Sequence, residues 1–223
     1  DILTLKDDLF RFSRHILLKL SPMADITMVC ERLGGCCREV HIVGAGGECK
    51  ELLVWMDKEW DGDYMIHAVE LHKDGEPGIF SFSPAEEKAC STVAGKIPAM
   101  GMYIFEPGKA LMKAGAFNLV AERFGLAKLG KSTHYYIFSG EPGQLQRYGK
   151  VFRVIRIETL DKRSIKAFGR DFPKAEVTAR NIPMDTDTLR KKTGVTSGDD
   201  AHIFGLKSDS LGNLLLCTNR VLQ

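Results

Sequence analysis

Apolar residues fall in short bursts along this chain, and the spacing within each burst decides which element it predicts. Ile16, Leu17, Leu18 and Leu20 form one run that stops at Ser21-Pro22. Such a run suits a central strand of a parallel sheet covered on both faces, and Pro22 has no donor with which to continue a ladder. Asp25 then leads ITMVCERL, in which Ile26, Val29 and Leu33 recur at helical spacing before Gly34-Gly35, so a short helix is predicted. EVHIVGA (39–45) and ELLVWMD (51–57) are strand-like runs. The intervening GGECK is too short for a crossover, so the two pair as an antiparallel hairpin. MIHAVELH (65–72) and IFSF (79–82) flank the turn DGEPG and predict a second hairpin. SPAEEKAC (83–90) has the pattern of a capped helical turn, with Ser83 as cap, Pro84 first and Glu86 three residues on. GKIPA (95–99) reads as a connector.

The second half has a longer rhythm. MYIF (102–105) predicts a strand. A helix starting at Pro107 then places Leu111, Ala114, Phe117, Val120, Ala121 and Phe124 on one face and ends at Gly125. STHYYIFS (132–139) and KVFRVIRIE (150–158) read as strands, DKRSIKAFG (161–169) as a short helix and KAEVTARN (174–181) as another strand. The order β-α-β-β-α-β is the ferredoxin-like arrangement. DTDTLRKKTG adds a helix led by acidic and ended by basic residues, in accord with its dipole. AHIFGLK (201–207) and NLLLCTN (213–219) form a last hairpin.

Composition narrows the class. A chain of 223 residues with 44% hydrophobic and 27% charged content buries a substantial core and forms more than one unit. No apolar run approaches the roughly 20 residues needed to cross a bilayer, which argues against a membrane partner. The six cysteines show no CxxC spacing, which predicts reduced thiols, no metal and a cytoplasmic setting. The Gly-rich GAGGE (44–48) leads into a strand rather than a helix, so it reads as a turn and not a phosphate cradle. Charge is uneven: residues 1–149 carry 17 Lys and Arg against 20 Asp and Glu, residues 150–223 carry 14 against 9. The basic end predicts a surface for phosphate backbones, with a solvated basic face as the bland alternative.

Several segments together resemble a known family: KLSPMADI (19–26), ECKELL (48–53), YIFEPGKALMKAGAF (103–117), KLGKSTHYYIFS (128–139) and RNIPMDTDTLRKK (180–192). They are similar to bacterial class I S-adenosylmethionine-dependent methyltransferases that carry a ferredoxin-like and a THUMP-like domain after the catalytic sheet. The resemblance implies an α/β fold: the C-terminal part of a Rossmann-like methyltransferase sheet with a hairpin (1–98), then ferredoxin-like (99–148) and THUMP-like (149–223) α+β modules. HILLKL would be the fifth strand of that sheet, followed by a helix and the antiparallel sixth and seventh strands. The cofactor-binding strands would lie upstream of Asp1, so this chain alone would neither bind S-adenosylmethionine nor act. Ala24, Gly108 and Gly130 depart from the larger or polar residues expected at their places.

The candidate site residues follow from placement and resemblance. Ser21, Pro22, Met23 and Asp25 stand at the carboxyl end of a strand, where a methyl acceptor would approach, and are expected to line its pocket. The plainer reading is that Asp25 or Ser21 caps the next helix. Glu48, Cys49 and Lys50 read as a solvent-facing turn, and His41 offers no spacing as a base for a thiol. His134 would stack on an unpaired base, against a plain position in a packed strand. Lys166, Arg170, Lys174, Arg180, Arg190, Lys191 and Lys192 would neutralise phosphates of transfer or ribosomal RNA. Their alternative is a helix end complementing its own dipole. The expected function is the C-terminal portion of a methyltransferase acting on RNA. Its rival is a non-catalytic RNA-binding or interaction protein whose sheet is a scaffold.

Overall fold

Glycines, prolines and side-chain caps set most of the element ends. The computed structural model describes residues 2–73, 75–91 and 97–221, so the turn DGEPG and the connector GKIPA lie partly outside the described residues. The chain divides into a first unit of residues 1–91 and 108–119 and a second of residues 92–107 and 120–223.

In the first unit, α1 (Ile2–Phe12) precedes the earliest predicted element. There follow β1 (His15–Leu20), α2 (Ile26–Leu33), β2 (Cys37–Ala45), β3 (Glu48–Asp57), β4 (Met65–Leu71), β5 (Gly78–Phe82) and α3 (Pro84–Ala89). The five strands form one sheet in the order β1-β3-β2-β4-β5. β2 and β3 pair antiparallel through a two-residue turn, where Gly46 (φ 60°) and Gly47 (φ 81°) supply the left-handed conformations such a turn demands. β4 and β5 make the second predicted hairpin, and α3 opens on a complete Ser83–Glu86 capping box.

Among the described strands β1 has one partner, β3, with which it pairs antiparallel and not parallel, and it alternates between exposed and half-buried positions. Leu17 is 68% exposed. Alternation sorts this sheet into two unlike faces. Val40, Ile42, Leu52, Val54, Met56, Ile66, Ala68, Phe80 and Phe82 are buried on one. Glu39, His41, Leu53, Trp55, His67 and Ser81 stand half-buried on the other.

The next strand, β6 (Tyr103–Pro107), belongs to the second unit. The predicted helix after it is two helices, α4 (Lys109–Ala114) and α5 (Phe117–Phe124), because Gly115 turns left-handed at φ 82° and closes the first. Pro107 ends the strand rather than starting the helix, and Gly108 takes the cap position. Both helix starts are held by distant carboxylates. Glu70 accepts from Ala110 N at 2.7 Å, and Glu87 accepts from Asn118 N at 2.9 Å and Leu119 N at 2.8 Å. A Cβ at Gly108 would lie 2.1 Å from Glu70 Oε1, which accounts for the missing side chain there. At Gly130 it would meet Asp209 Oδ1 and Thr133 Oγ1 at 3.0 Å, so that position is also tight.

The second unit continues with β7 (Ala127–Lys128), β8 (Tyr136–Phe138), β9 (Gly149–Thr159), α6 (Lys162–Asp171), β10 (Glu176–Arg180), α7 (Thr186–Thr193), β11 (His202–Ser208) and β12 (Gly212–Arg220). Its seven strands run β10-β11-β12-β9-β6-β8-β7. The predicted six-element ferredoxin order is therefore not closed by β10, which pairs parallel with β11 instead of joining β6. On one face Tyr135, Phe152, Phe204, Leu206 and Leu216 build a core; on the other, Phe168 of α6 and Leu189 of α7 pack on Val177, Ile203 and Leu215. No helix among the described residues is long and apolar enough to cross a membrane.

His202 is a stress point in this core. Its ring stacks on Phe204 at 4.0 Å and meets Phe152 edge-on at 5.1 Å, while Nε2 lies 2.8 Å from Thr178 Oγ1. Burial first, then Lys150, pushes the imidazole down to about 4 from 6.5. Between those values the unfolded chain binds a proton that the folded chain refuses, so stability falls as pH drops from 6.5 towards 4. Thermal melts across that window are expected to show a loss of roughly 3 kcal/mol from this group. In His202→Gln the slope flattens; equal slopes for variant and parent would contradict the assignment.

Candidate nucleic-acid interface and acceptor loop

The loop from β1 to α2 is organised by its own polar side chains. Ser21 Oγ accepts from Met23 N at 3.2 Å, and Asp25 Oδ1 accepts from Met28 N at 2.9 Å as the cap of α2. Pro22 is half-buried and Met23 is 86% exposed. The four acceptor-pocket candidates thus sit on one loop, with Ser21 and Asp25 both engaged with backbone.

The basic candidates separate into two groups. His134 lies off the strand predicted for it, in a turn before β8, with φ at 53°. Burial first, then Lys128 and Arg180, pushes its imidazole down. Beside it the buried Tyr135 hydroxyl donates to Glu106 at 2.8 Å, and Arg180 also bonds to Tyr135. Asn181, left-handed at φ 58°, donates to Ser132 O at 2.6 Å and ties the end of β10 to the turn carrying His134. Arg180 is therefore committed to a partly buried network.

The second group stands on α6, α7 and the segments after them. A Cβ at Gly169 would lie 1.8 Å from Thr193 O, so the last turns of the two helices touch where only glycine fits. Lys166 and Arg170 flank Gly169; Lys191 and Lys192 immediately precede Thr193. Lys174 bridges to Thr196 just beyond α7. The contact joins the ends of the two helices that carry Lys166, Arg170, Arg190, Lys191 and Lys192. These cations are not equivalent. Arg190 binds Glu176 at 3.1 Å, and Arg170 pairs with Asp171 at 2.8 Å. Lys166, Lys174, Lys191 and Lys192 are exposed and make no ion pair among the described residues.

Two features escaped the sequence. No disulfide joins the cysteines, but the buried Cys30 and Cys37 thiols lie 3.3 Å apart and share a hydrogen bond. Their hydrogen bond raises Cys30 and lowers Cys37. On the half-open face of the five-stranded sheet, Glu39, His41 and His67 bring ligand atoms within 4.8 Å of one another. Period-2 spacing could have flagged Glu39 and His41, but the match of His67 to His41 depends on the parallel pairing of β2 and β4. A cleft of about 410 Å³ lined by Lys6, Asp7, Phe10, Leu33, Cys36 and Lys58 contains none of the predicted site residues.

Comparison with known proteins agrees with this geometry. Residues 103–141 match a ferredoxin-like domain family, and residues 149–219 match a THUMP domain-like family. No curated protein matches the chain. The solved structure of a "putative methyltransferase from Porphyromonas gingivalis W83" is similar over 100% of this chain, with 30% identity and a TM-score of 0.89. The chain spans 55% of that protein's length. The chain is thus a mixed α/β protein with ferredoxin-like and THUMP-like domains.

The Asp25 cap gives a direct check on the loop. Asp25→Ala is expected to lower stability by about 0.5–2 kcal/mol, and Asp25→Asn, which keeps an acceptor oxygen, by less. Chemical denaturation of the three proteins measures both; equal stability for all would remove the cap from the account.

Proposed function

We propose that this chain is part of an RNA methyltransferase and that its basic second unit holds the RNA. The observation that carries the reading is four exposed lysines without ion pairs among the described residues, Lys166, Lys174, Lys191 and Lys192, on and just after α6 and at the end of α7, within the residues that match a THUMP domain-like family. Exposed lysines without ion pairs are available to phosphates, and each neutralised phosphate releases counterions. The similarity to a methyltransferase over the whole chain supports the reaction class.

S-adenosylmethionine is the methyl donor of this reading. The residues described here do not fit it: the glycine-rich turn at 44–47 joins two antiparallel strands, whereas a cofactor cradle runs from a strand into a helix. The donor is therefore assigned to the rest of a longer, cytoplasmic protein. This chain contributes the loop with Ser21, Pro22, Met23 and Asp25, on which the acceptor base would rest, and the exposed lysines that would hold the backbone. His134 would form a second contact by stacking on an unpaired base, with Arg180 held beside it by Tyr135.

Gel retardation of bulk transfer and ribosomal RNA by residues 1–223 at low salt tests the RNA reading. Binding is expected for unrelated sequences, and replacing Lys166, Lys191 and Lys192 with alanine should reduce the salt slope by roughly two to three units. Arg190 is left intact because its pair with Glu176 is structural. No retardation by the folded parent would overturn the reading, and unchanged binding by the folded triple variant would remove these lysines from it.

A further inference from the structure

Glu39 and His41 are two residues apart on β2, so both point to the half-open face of the five-stranded sheet. β4 lies parallel to β2 and sets His67 directly opposite His41. The two rings stack with centroids 4.5 Å apart, and Glu39 Oε2 stands 3.1 Å from His41 Nε2 and 3.6 Å from His67 Nε2. Two ligand atoms of a tetrahedral zinc ion, each about 2.0–2.1 Å from the metal, are about 3.4 Å apart. The two glutamate–histidine distances bracket that value.

The surroundings complete a metal-site pattern. β5 pairs with β4 so that Ser81 faces His67, with Ser81 Oγ 2.7 Å from His67 Nδ1. With Nδ1–H donating to the serine, the lone pair is left on Nε2, the nitrogen 3.6 Å from Glu39 Oε2, and a metal-binding histidine is commonly fixed in this way. His67 Nε2 is closed off from solvent and has no hydrogen-bond partner among the described residues. Such a buried nitrogen calls for an explanation, and an absent ion is one. Arg38 is the nearby cation: its Nε stands 3.7 Å from Glu39 Oε1, the other oxygen of the carboxylate, while Nη1 reaches Asp57 at 3.2 Å and the guanidinium lies over the Trp55 and Trp60 rings. The side chains of His41 and Glu39 remain 31% and 22% exposed, so the site has an entry path.

We propose that Glu39, His41 and His67 form a zinc site on the first unit, with two imidazoles and one carboxylate as ligands and the fourth position open to water or a small anion. The site is independent of the RNA reading and of the exposed lysines, which lie in the other unit.

The test uses residues 1–223 stripped with a chelator and titrated with Co²⁺, then with Zn²⁺. One Co²⁺ per chain is expected, with the visible bands of a tetrahedral N/O site and no thiolate charge-transfer band, and Zn²⁺ should displace it stoichiometrically. His67→Ala and Glu39→Gln should each weaken binding by more than tenfold. Ser81→Ala, which removes no ligand, should weaken it by about tenfold. Circular dichroism of each variant establishes that it is folded, and because Ser81→Ala and Glu39→Gln are small changes, loss of fold in His67→Ala leaves two working variants. Absence of saturable binding by the parent at millimolar metal would overturn the proposal. So would a thiolate band abolished by Cys37→Ser, which would place the ion on the Cys30–Cys37 pair, or full affinity in the folded Glu39→Gln and Ser81→Ala variants.

Discussion

Strand β9 is the element on which the second unit depends. Its first half pairs with β6, matching Val151 to Phe105 and Phe152 to Ile104. β12 pairs along its other edge from Phe152 to Thr159, across an irregularity at Cys217 and Thr218. Strands β6, β8 and β7 of the ferredoxin-like residues 103–141 lie on one side of this strand, and β12, β11 and β10 of the THUMP-like residues 149–219 on the other. One continuous ladder joins them, so neither closes a sheet by itself. Phe152 lies at the centre, meeting Phe204 edge-on at 5.0 Å, and shifting this strand by one residue would turn its core-facing side chains to the other face. The α6–α7 helix pair rests on the sheet that β9 holds together.

The parts of the fold written in local chemistry were legible in the sequence. The Gly46-Gly47 turn, the Ser83–Glu86 box, the Asp25 cap and the α7 boundaries at Asp185 and Gly194 each need only a few neighbouring residues to specify them. Pairing partners beyond the hairpins were not legible. HILLKL reads as a buried parallel strand, yet an apolar run does not reveal its neighbour, and β3 returned to lie beside it antiparallel. The β-α-β-β-α-β order missed the break of its first helix at Gly115, the short β7 and the pairing of β10 with β11. The long-range caps at Glu70 and Glu87, which bridge 40 and 31 residues, have no signature in spacing.

The same division applies to the candidate site. Lysines on α6 and α7 could be named from the sequence, but the contact of the two helices depends on the bare Cα of Gly169 against Thr193 O, and spacing does not separate the lysines from the ion-paired Arg170 and Arg190. His134 was assigned to a strand because Tyr135 to Phe138 are apolar; its left-handed backbone instead belongs to a turn held by Asn181. Cysteine spacing says nothing about a site built from imidazole and carboxylate. The Glu39, His41 and His67 trio arises from cross-strand register, which no single segment encodes.

The two units carry different candidate sites: the first holds the loop of Ser21, Pro22, Met23 and Asp25 and the imidazole–carboxylate trio, the second the exposed lysines of α6 and α7. The central claim is that the longer protein moves a methyl group onto RNA. It is tested most directly by incubating that protein with methyl-labelled S-adenosylmethionine and total RNA and following the label. The account predicts that label enters RNA and that replacing Lys166, Lys191 and Lys192 lowers incorporation while the protein remains folded. Binding of S-adenosylmethionine with no label in any RNA, or label entering protein or DNA instead, would contradict it.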